Sequence, residues 1–257
     1  MGKSTNKKTS KCWVYGIHPV RELLLSNRVI YKVLINRKIK HKFEHDTLIS
    51  QLFREYHDVI ELVDQIDFDK YLAKKVIHQG IAILVDPPRL YSFDDFVSDI
   101  TNQKEKINKV AILDRITDVG NIGAIIRSAA AFGIKYLFIP EYNAFSDYGV
   151  LTRASAGMIE RIKIIQIVNI NNLLKDLKKY DFWCLGLSLN GKHNLSLLPK
   201  MDRIAIILGN EHKGIRPLIE KNCDMLVSIP MADGIESLNV SSSAAIIFHK
   251  LYYGRGT

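Results

Sequence analysis

The sequence is poor in cysteine and in long apolar runs. Cys12, Cys184 and Cys223 are its only three cysteines in 257 residues. They are an odd number without metal-type spacing, which argues against a disulfide scaffold and reads as reduced, mostly structural thiols of a cytoplasmic protein. The densest apolar runs, Ala205 to Leu208 and Ala244 to Phe248, are core-sized and far short of the ~20 residues a membrane span needs, so the chain reads as soluble. Two nucleotide-binding signatures are also missing. Gly209 and Gly214 have phosphate-loop spacing, but Ile215 and Arg216 stand where Lys and Ser or Thr must hold phosphate and magnesium. Gly120 and Gly123 do not complete the G-x-G-x-x-G of a dinucleotide site. No internal repeat is present.

Acidic residues are the minority, 27 against 36 Lys and Arg, for a formal net charge of +9. An excess of this size favours a polyanionic partner. Nucleic acid ranks ahead of a membrane surface because no basic amphipathic helix carries the excess. Residues 1–11 hold Lys3, Lys7, Lys8 and Lys11 with no acid and no following apolar stretch, which predicts a disordered basic arm and not a signal peptide.

The length suits one large or two modest domains. Residues 12–86 alternate helix and strand: a helix near Val20 to Leu25, a strand from Ile30 to Ile35, a helix over Glu44 to Tyr56, then Val59 to Val63, Phe68 to Lys75 and Ile81 to Val85 as strand, helix and strand. Pro87-Pro88 breaks the pattern, and residues 87–108 are expected to connect two domains, with one short helix among them. Residues 109–257 predict an open parallel α/β sheet. Its strands are at Val110 to Leu113, Tyr136 to Ile139, Ile162 to Ile167, Phe182 to Leu187, Ile204 to Leu208 and Met225 to Ile229, most of them apolar throughout, as strands buried on both faces should be. Helices are expected at Ile122 to Phe132, Asp147 to Met158, Ile170 to Lys179, Ile215 to Asn222 and Val240 to Tyr253.

Three polar, Gly- and Asn-containing loops leave the carboxyl ends of these strands, where open α/β sheets bind their ligands. They are Asp114 to Gly123, with Arg127 a turn further on, Gly209 to Gly214, and Ile229 to Val240. Taken singly, each reads as a turn, Arg127 as a surface arginine and Asn239 or Ser241 as a helix cap. Their convergence is the argument for a site.

In this order and spacing the three segments resemble the signature motifs of the SpoU/TrmH family of RNA ribose 2′-O-methyltransferases, of the SPOUT class. Asn121-Ile122-Gly123-Ala124-Ile125-Ile126-Arg127-Ser128-Ala129 is similar to its first motif and Leu208-Gly209-Asn210-Glu211-His212-Lys213-Gly214-Ile215 to its second. The third is matched by Ile229-Pro230-Met231 with Ser237-Leu238-Asn239-Val240-Ser241. Val14 to Val20 and His78 to Ala82 resemble the start and end of that family's L30e-like RNA-binding domain, a combination similar to the type that modifies a guanosine of 23S ribosomal RNA.

The resemblance implies a SPOUT domain with a trefoil knot, S-adenosylmethionine (SAM) as cofactor, no metal, and a homodimer acting on large-subunit ribosomal RNA. It implies cofactor contacts from Leu208, Gly209, Ile229, Met231 and Leu238, and catalysis centred on Arg127 with Asn121, Glu211, Ser237 and Asn239. Three departures bear on RNA contacts: Val119-Gly120 replaces a common Pro-His pair, Arg115 stands where a small residue is usual, and His212 and Lys213 make the second motif more basic. A transfer-RNA methyltransferase and a non-catalytic RNA-binding or ribosome-assembly protein are the alternatives.

Overall fold

The computed structural model describes residues 11–73, 76–102, 108–141, 147–211 and 213–253. The expected basic arm apart from Lys11, Lys74 and Lys75 at the end of the third expected helix, and His212 lie outside these. The chain forms two compact units. The first opens with β1 (Cys12–Tyr15), α1 (Ile17–Leu24), β2 (Ile30–Asn36), α2 (Lys40–Phe43), α3 (Thr47–Glu55), β3 (Ile60–Val63), α4 (Phe68–Tyr71) and β4 (Ile81–Val85). The strands order as β1-β4-β2-β3, with β1 and β2 antiparallel to β4 and β3 parallel to β2. Period-two alternation splits them. Val14, Val33, Ile35, Ile81, Ile83 and Val85 face α1 and α3, while Tyr15, Leu34, Val63 and Ala82 pack on Phe68. The third helix starts at Thr47 and not at Glu44 because Asp46 caps it, Oδ1 accepting from the N–H groups of Leu48 and Ile49 at 3.1 and 3.2 Å. At four residues β1 is too short to show a period, and pattern reading passes over it.

His78 closes this unit. Its ring is buried and stacks on Phe68 at 3.8 Å, and its Nδ1 accepts the Gly80 N–H at 3.1 Å. Its Nε2 lies 2.8 Å from the side-chain amide nitrogen of Gln65. Burial holds its pKa below the ordinary 6.5; Asp69 opposes this and Arg153 adds to it. The unfolded chain then binds more protons than the folded one between the lowered value and 6.5, so stability falls as pH drops through that window and is complete above it. Urea midpoints of the chain should decline from pH 7.5 to pH 5.5, and His78→Gln should flatten that decline; an unaltered slope would show that another group titrates.

The second unit begins with β5 (Leu90–Tyr91), α5 (Phe93–Thr101), β6 (Lys109–Leu113), α6 (Val119–Ala131) and β7 (Tyr136–Pro140). After α7 (Tyr148–Ala154) come β8 (Lys163–Ile167), α8 (Ile170–Lys178), β9 (Trp183–Leu187), β10 (His193–Asn194), β11 (Ile204–Leu208), α9 (Pro217–Asn222), β12 (Met225–Ser228) and α10 (Val240–Tyr253). By its contacts α7, with the turn running to Glu160, belongs to the first unit. It is shorter than expected because Ala156 turns left-handed at φ 52°. Residues 90–101, expected within a connecting segment, supply β5 to the edge of the large sheet, and Phe93 and Phe96 to its core. The Ser92 capping box starts α5.

Eight parallel strands order as β10-β12-β9-β11-β6-β7-β8-β5. Val110, Ile112, Tyr136, Phe138, Ala205 and Ile207 pack on α5, α8 and α9 through Phe96, Leu173, Leu177 and Ile219. By strand alternation Ala111, Leu113, Ile206 and Leu208, all fully buried, lie on the opposite face. There α10 packs against α6. The chain goes one way from β6 to β7 and β8, while β11, β9 and β12 lie on the other side. The carboxyl ends of β6 and β11 therefore flank a topological switch point. No described helix is long and apolar enough to cross a membrane.

Candidate active site

Two strand ends meet at the switch point. Leu208 ends β11 in register with Leu113 at the end of β6, and its carbonyl accepts the Asp114 N–H at 2.8 Å. Asp114 is fully buried, and its carboxylate accepts from the backbone N–H and the Nε–H of Arg216, both at 2.9 Å. A buried carboxylate persists only when hydrogen-bonded and paired. Asp114 thus fastens the segment after β11 to the end of β6.

Between these points Asn210 and Gly214 exchange backbone hydrogen bonds at 3.1 and 2.8 Å, which close a hairpin. The Asn210 side chain donates to the Arg115 carbonyl at 3.1 Å, a second tie to the first loop. Gly209 sits against the hairpin's return: a Cβ there would lie 2.2 Å from the carbonyl carbon of Gly214.

The hairpin carries Glu211 to a cluster drawn from all three segments. Asn121, in the first turn of α6, donates from its side-chain amide to Glu211 Oε1. Asn239 Nδ2 reaches the same oxygen at 2.8 Å and Asn121 Oδ1 at 3.1 Å. Both asparagines are fixed by helix starts. The Asn121 N–H donates to the capping carboxylate of Asp118 at 2.7 Å, and Asn239 Oδ1 accepts from the backbone and hydroxyl of Ser241 at 2.8 and 2.6 Å, where α10 begins. Among the described residues Glu211 Oε2 has no partner.

A cavity of about 390 Å³ lies beside this cluster. Gly209, Ile229, Met231, Leu238, Glu211 and Ser237, all expected site residues, line it. Leu208 does not; it is fully buried behind the wall. Arg127 is exposed on α6, with no hydrogen bond or ion pair among the described residues, and does not join the cluster. Sequence reasoning missed the loop after β9, whose Ser188, Leu189 and Asn190 form part of the wall, and Glu220 of α9. That loop too leaves a strand's carboxyl end, so the rule that found the other three would have found it.

Thiol chemistry does not serve this site. Burial, reinforced by Asp224, pushes the Cys184 and Cys223 thiols up to about 12. Among the described residues no three His, Cys, Asp or Glu side chains are grouped to hold a metal ion.

Comparison with known proteins adds the lineage. Residues 108–249 match the model of the SpoU rRNA Methylase family, and residues 13–91 match that of the RNA 2′-O ribose methyltransferase substrate-binding region. A Staphylococcus aureus protein named for the TrmH family of tRNA/rRNA methyltransferases is 30% identical over 242 residues, 94% of this chain and 96% of that one. The SpoU methyltransferase AviRb of Streptomyces viridochromogenes, solved with AdoMet, is similar in fold at 21% identity and TM-score 0.76, covering 99% of this chain and 94% of that one. An AdoMet-bound rRNA methyltransferase of Sinorhizobium meliloti follows at 17% identity and TM-score 0.74, covering 96% and 88%.

Proposed function

We infer, for a chain that belongs to the SpoU rRNA methylase family, that it transfers a methyl group from SAM to the ribose 2′-hydroxyl of a guanosine in 23S ribosomal RNA. One observation carries this reading: Asn121, Glu211 and Asn239, from three separate segments, share hydrogen bonds beside a cavity of about 390 Å³.

The cavity fits the cofactor. Its volume lies within the ~300–1,000 Å³ of small-molecule sites. Its wall combines the apolar Leu187, Leu189, Ile229, Met231 and Leu238 with the backbone of the Gly209 hairpin and a few polar groups, which suits a nucleoside joined to an amino acid. These residues would hold SAM, which supplies a methyl group already activated on a sulfonium. The protein then has to align the hydroxyl and ease loss of its proton.

Glu211 is suited to the proton. Both amide donors converge on Oε1, fixing the carboxylate's orientation and leaving Oε2 for the ribose hydroxyl. Asn121 and Asn239 are positioning residues in this scheme, and Ser237 on the cavity wall orients the ribose. A guanidinium stays protonated at physiological pH, so Arg127 acts by stabilising developing alkoxide or gripping the adjacent phosphate.

Since Arg127 stands apart from the cluster of its own chain, the reading assigns it to the site of a second copy in a homodimer. Tyr252, Tyr253 and Ile246 leave an apolar stretch of α10 exposed, and Tyr252 packs against Phe132, which follows α6. The homodimer would use this surface. The first unit, Met1–Pro88 with Ser146–Glu160, would hold the RNA and the second, Arg89–Phe145 with Arg161–Thr257, would carry out the transfer; the return of the chain from β12 to α10 against α6 is where the trefoil knot would form. Three free cysteines accord with a reduced, cytoplasmic setting. The relative named for tRNA and rRNA alike keeps a transfer-RNA substrate as the second reading.

Calorimetry should detect S-adenosylhomocysteine binding to the chain, and no binding would remove the cofactor assignment. Arg127→Ala should abolish methyl incorporation, a loss of at least about 10²-fold, with cofactor affinity nearly intact. Mixing inactive Arg127→Ala with inactive Glu211→Ala chains should restore part of the activity, because one site of the mixed dimer is then complete. Comparing ribose methylation in ribosomal and transfer RNA from cells with and without the gene decides the substrate.

A further inference from the structure

At the amino ends of the same strands lies a second cavity, of about 280 Å³, that the site above does not use. Asn108 and Lys109 border it at the start of β6, residues 198–202 before β11, and Lys250 in the last turn of α10. Its charged lining is Lys109, Lys200 and Lys250 against the single carboxylate of Asp202.

Lys109 is only 8% exposed, so the end of its side chain is held within the fold. Its ammonium lies 5.6 Å from the centre of the Tyr252 ring, and its backbone is in register with Ile204. Lys200 and Lys250 are exposed, and among the described residues neither has an ion-pair or hydrogen-bond partner. Asn108 gives its carbonyl to the Ile204 N–H at 2.8 Å, yet among the described residues its buried side-chain Nδ2 has no acceptor. A buried donor without such a partner is a group that the oxygen of a bound anion can satisfy.

Three ammonium groups and an amide donor present hydrogen-bond donors and positive charge, partly offset by Asp202. No guanidinium fork, which would match a planar carboxylate, is among them. Lysines act as point charges that several oxygens of a tetrahedral anion can share. The volume, about nine waters at ~30 Å³ each, admits a phosphate group with part of its hydration.

We propose that this cavity binds a phosphate group, either inorganic phosphate or a phosphodiester of bound RNA. Lys200 and Lys250 provide its outer charge, and Lys109 with Asn108 its inner end.

The test compares the full chain with a Lys200→Ala/Lys250→Ala double variant and with Lys109→Met, which keeps an unbranched stem but drops the charge. In the first arm, melting temperatures are measured in inorganic phosphate and in chloride of equal ionic strength. Phosphate should raise the melting temperature of the unaltered chain, and both variants should lose that rise. In the second arm, RNA binding is measured against salt. One lost phosphodiester contact should make the slope of log affinity against log salt shallower by about 0.7–0.9.

A phosphate effect with an unchanged RNA slope assigns the cavity to the free anion, and a shallower slope assigns it to RNA. If the unaltered chain gains nothing from phosphate and the variants keep its salt slope, the proposal is overturned. Because Lys200 and Lys250 are exposed, misfolding does not confuse the double variant. S-adenosylhomocysteine binding, followed alongside, stays unchanged in both variants, so failure here is distinct from failure of the methyl-transfer reading.

Discussion

Asn239→Ala should slow methyl transfer by about 10²-fold or more, yet cost only about 1 kcal/mol of stability. The asymmetry follows from two separate jobs on one side chain. Its Oδ1 caps α10 through Ser241, a local structural contribution, while its Nδ2 holds Glu211 and Asn121 in place. Asn239→Ser separates the two, because a hydroxyl can still accept from the Ser241 N–H but does not reproduce the amide donor that bridges Glu211 and Asn121. The serine variant should therefore melt close to the unaltered chain and be as slow as the alanine variant in single-turnover methyl incorporation. If it kept full activity, Asn239 would be a cap alone and the cluster would lose its proposed role.

Gly209→Ala should weaken S-adenosylhomocysteine binding by about 10- to 100-fold, equivalent to about 1.4–2.8 kcal/mol. The added methyl would meet the carbonyl carbon of Gly214 at 2.2 Å and the Ile215 nitrogen at 2.3 Å, both backbone atoms with no rotamer to yield. The hairpin would have to open, while the Asp114–Arg216 pair resists that movement from behind. Gly214→Ala is the comparison. Gly214 has φ 61°, but nothing lies within 4 Å of its would-be Cβ. There the cost is backbone strain alone, about 1–2 kcal/mol, and most of the binding should survive. Equal losses in the two variants would mean that the hairpin tolerates opening and that its close approach is not what shapes the cofactor wall.

Much of this architecture was legible in the chain. Strands such as Ile204–Leu208 are apolar at every position because both faces of a parallel sheet are covered, and that pattern alone announces a buried strand. The three loops were visible as polar interruptions after such strands. Less visible were elements too short to have a period: β1, β5 and β10 rest on pairing partners far away in sequence, Cys12 on Val85 and Leu90 on Ile164. Local pattern also said nothing about Asp114. A carboxylate after a strand reads as the first residue of a loop, and only the fold shows that Arg216, 102 positions away, covers it. For Arg127 the chain showed a residue type in a motif, whereas in the structure it is exposed and shares no hydrogen bond with Asn121, Glu211 or Asn239 among the described residues. A motif records which residues matter to a reaction, not whether one copy of the chain brings them all together.

The sheet's uniform strand direction sets a distance between the two cavities. With all eight strands pointing the same way, the Gly209 hairpin and the lysine-lined cavity sit at opposite ends of β6 and β11, each five residues long. At about 3.3 Å per residue the strands hold those ends about 17 Å apart. A single nucleotide can occupy one end but cannot span the two. An RNA that filled the first and also placed a phosphodiester in the second would have to be a folded or extended piece several nucleotides long.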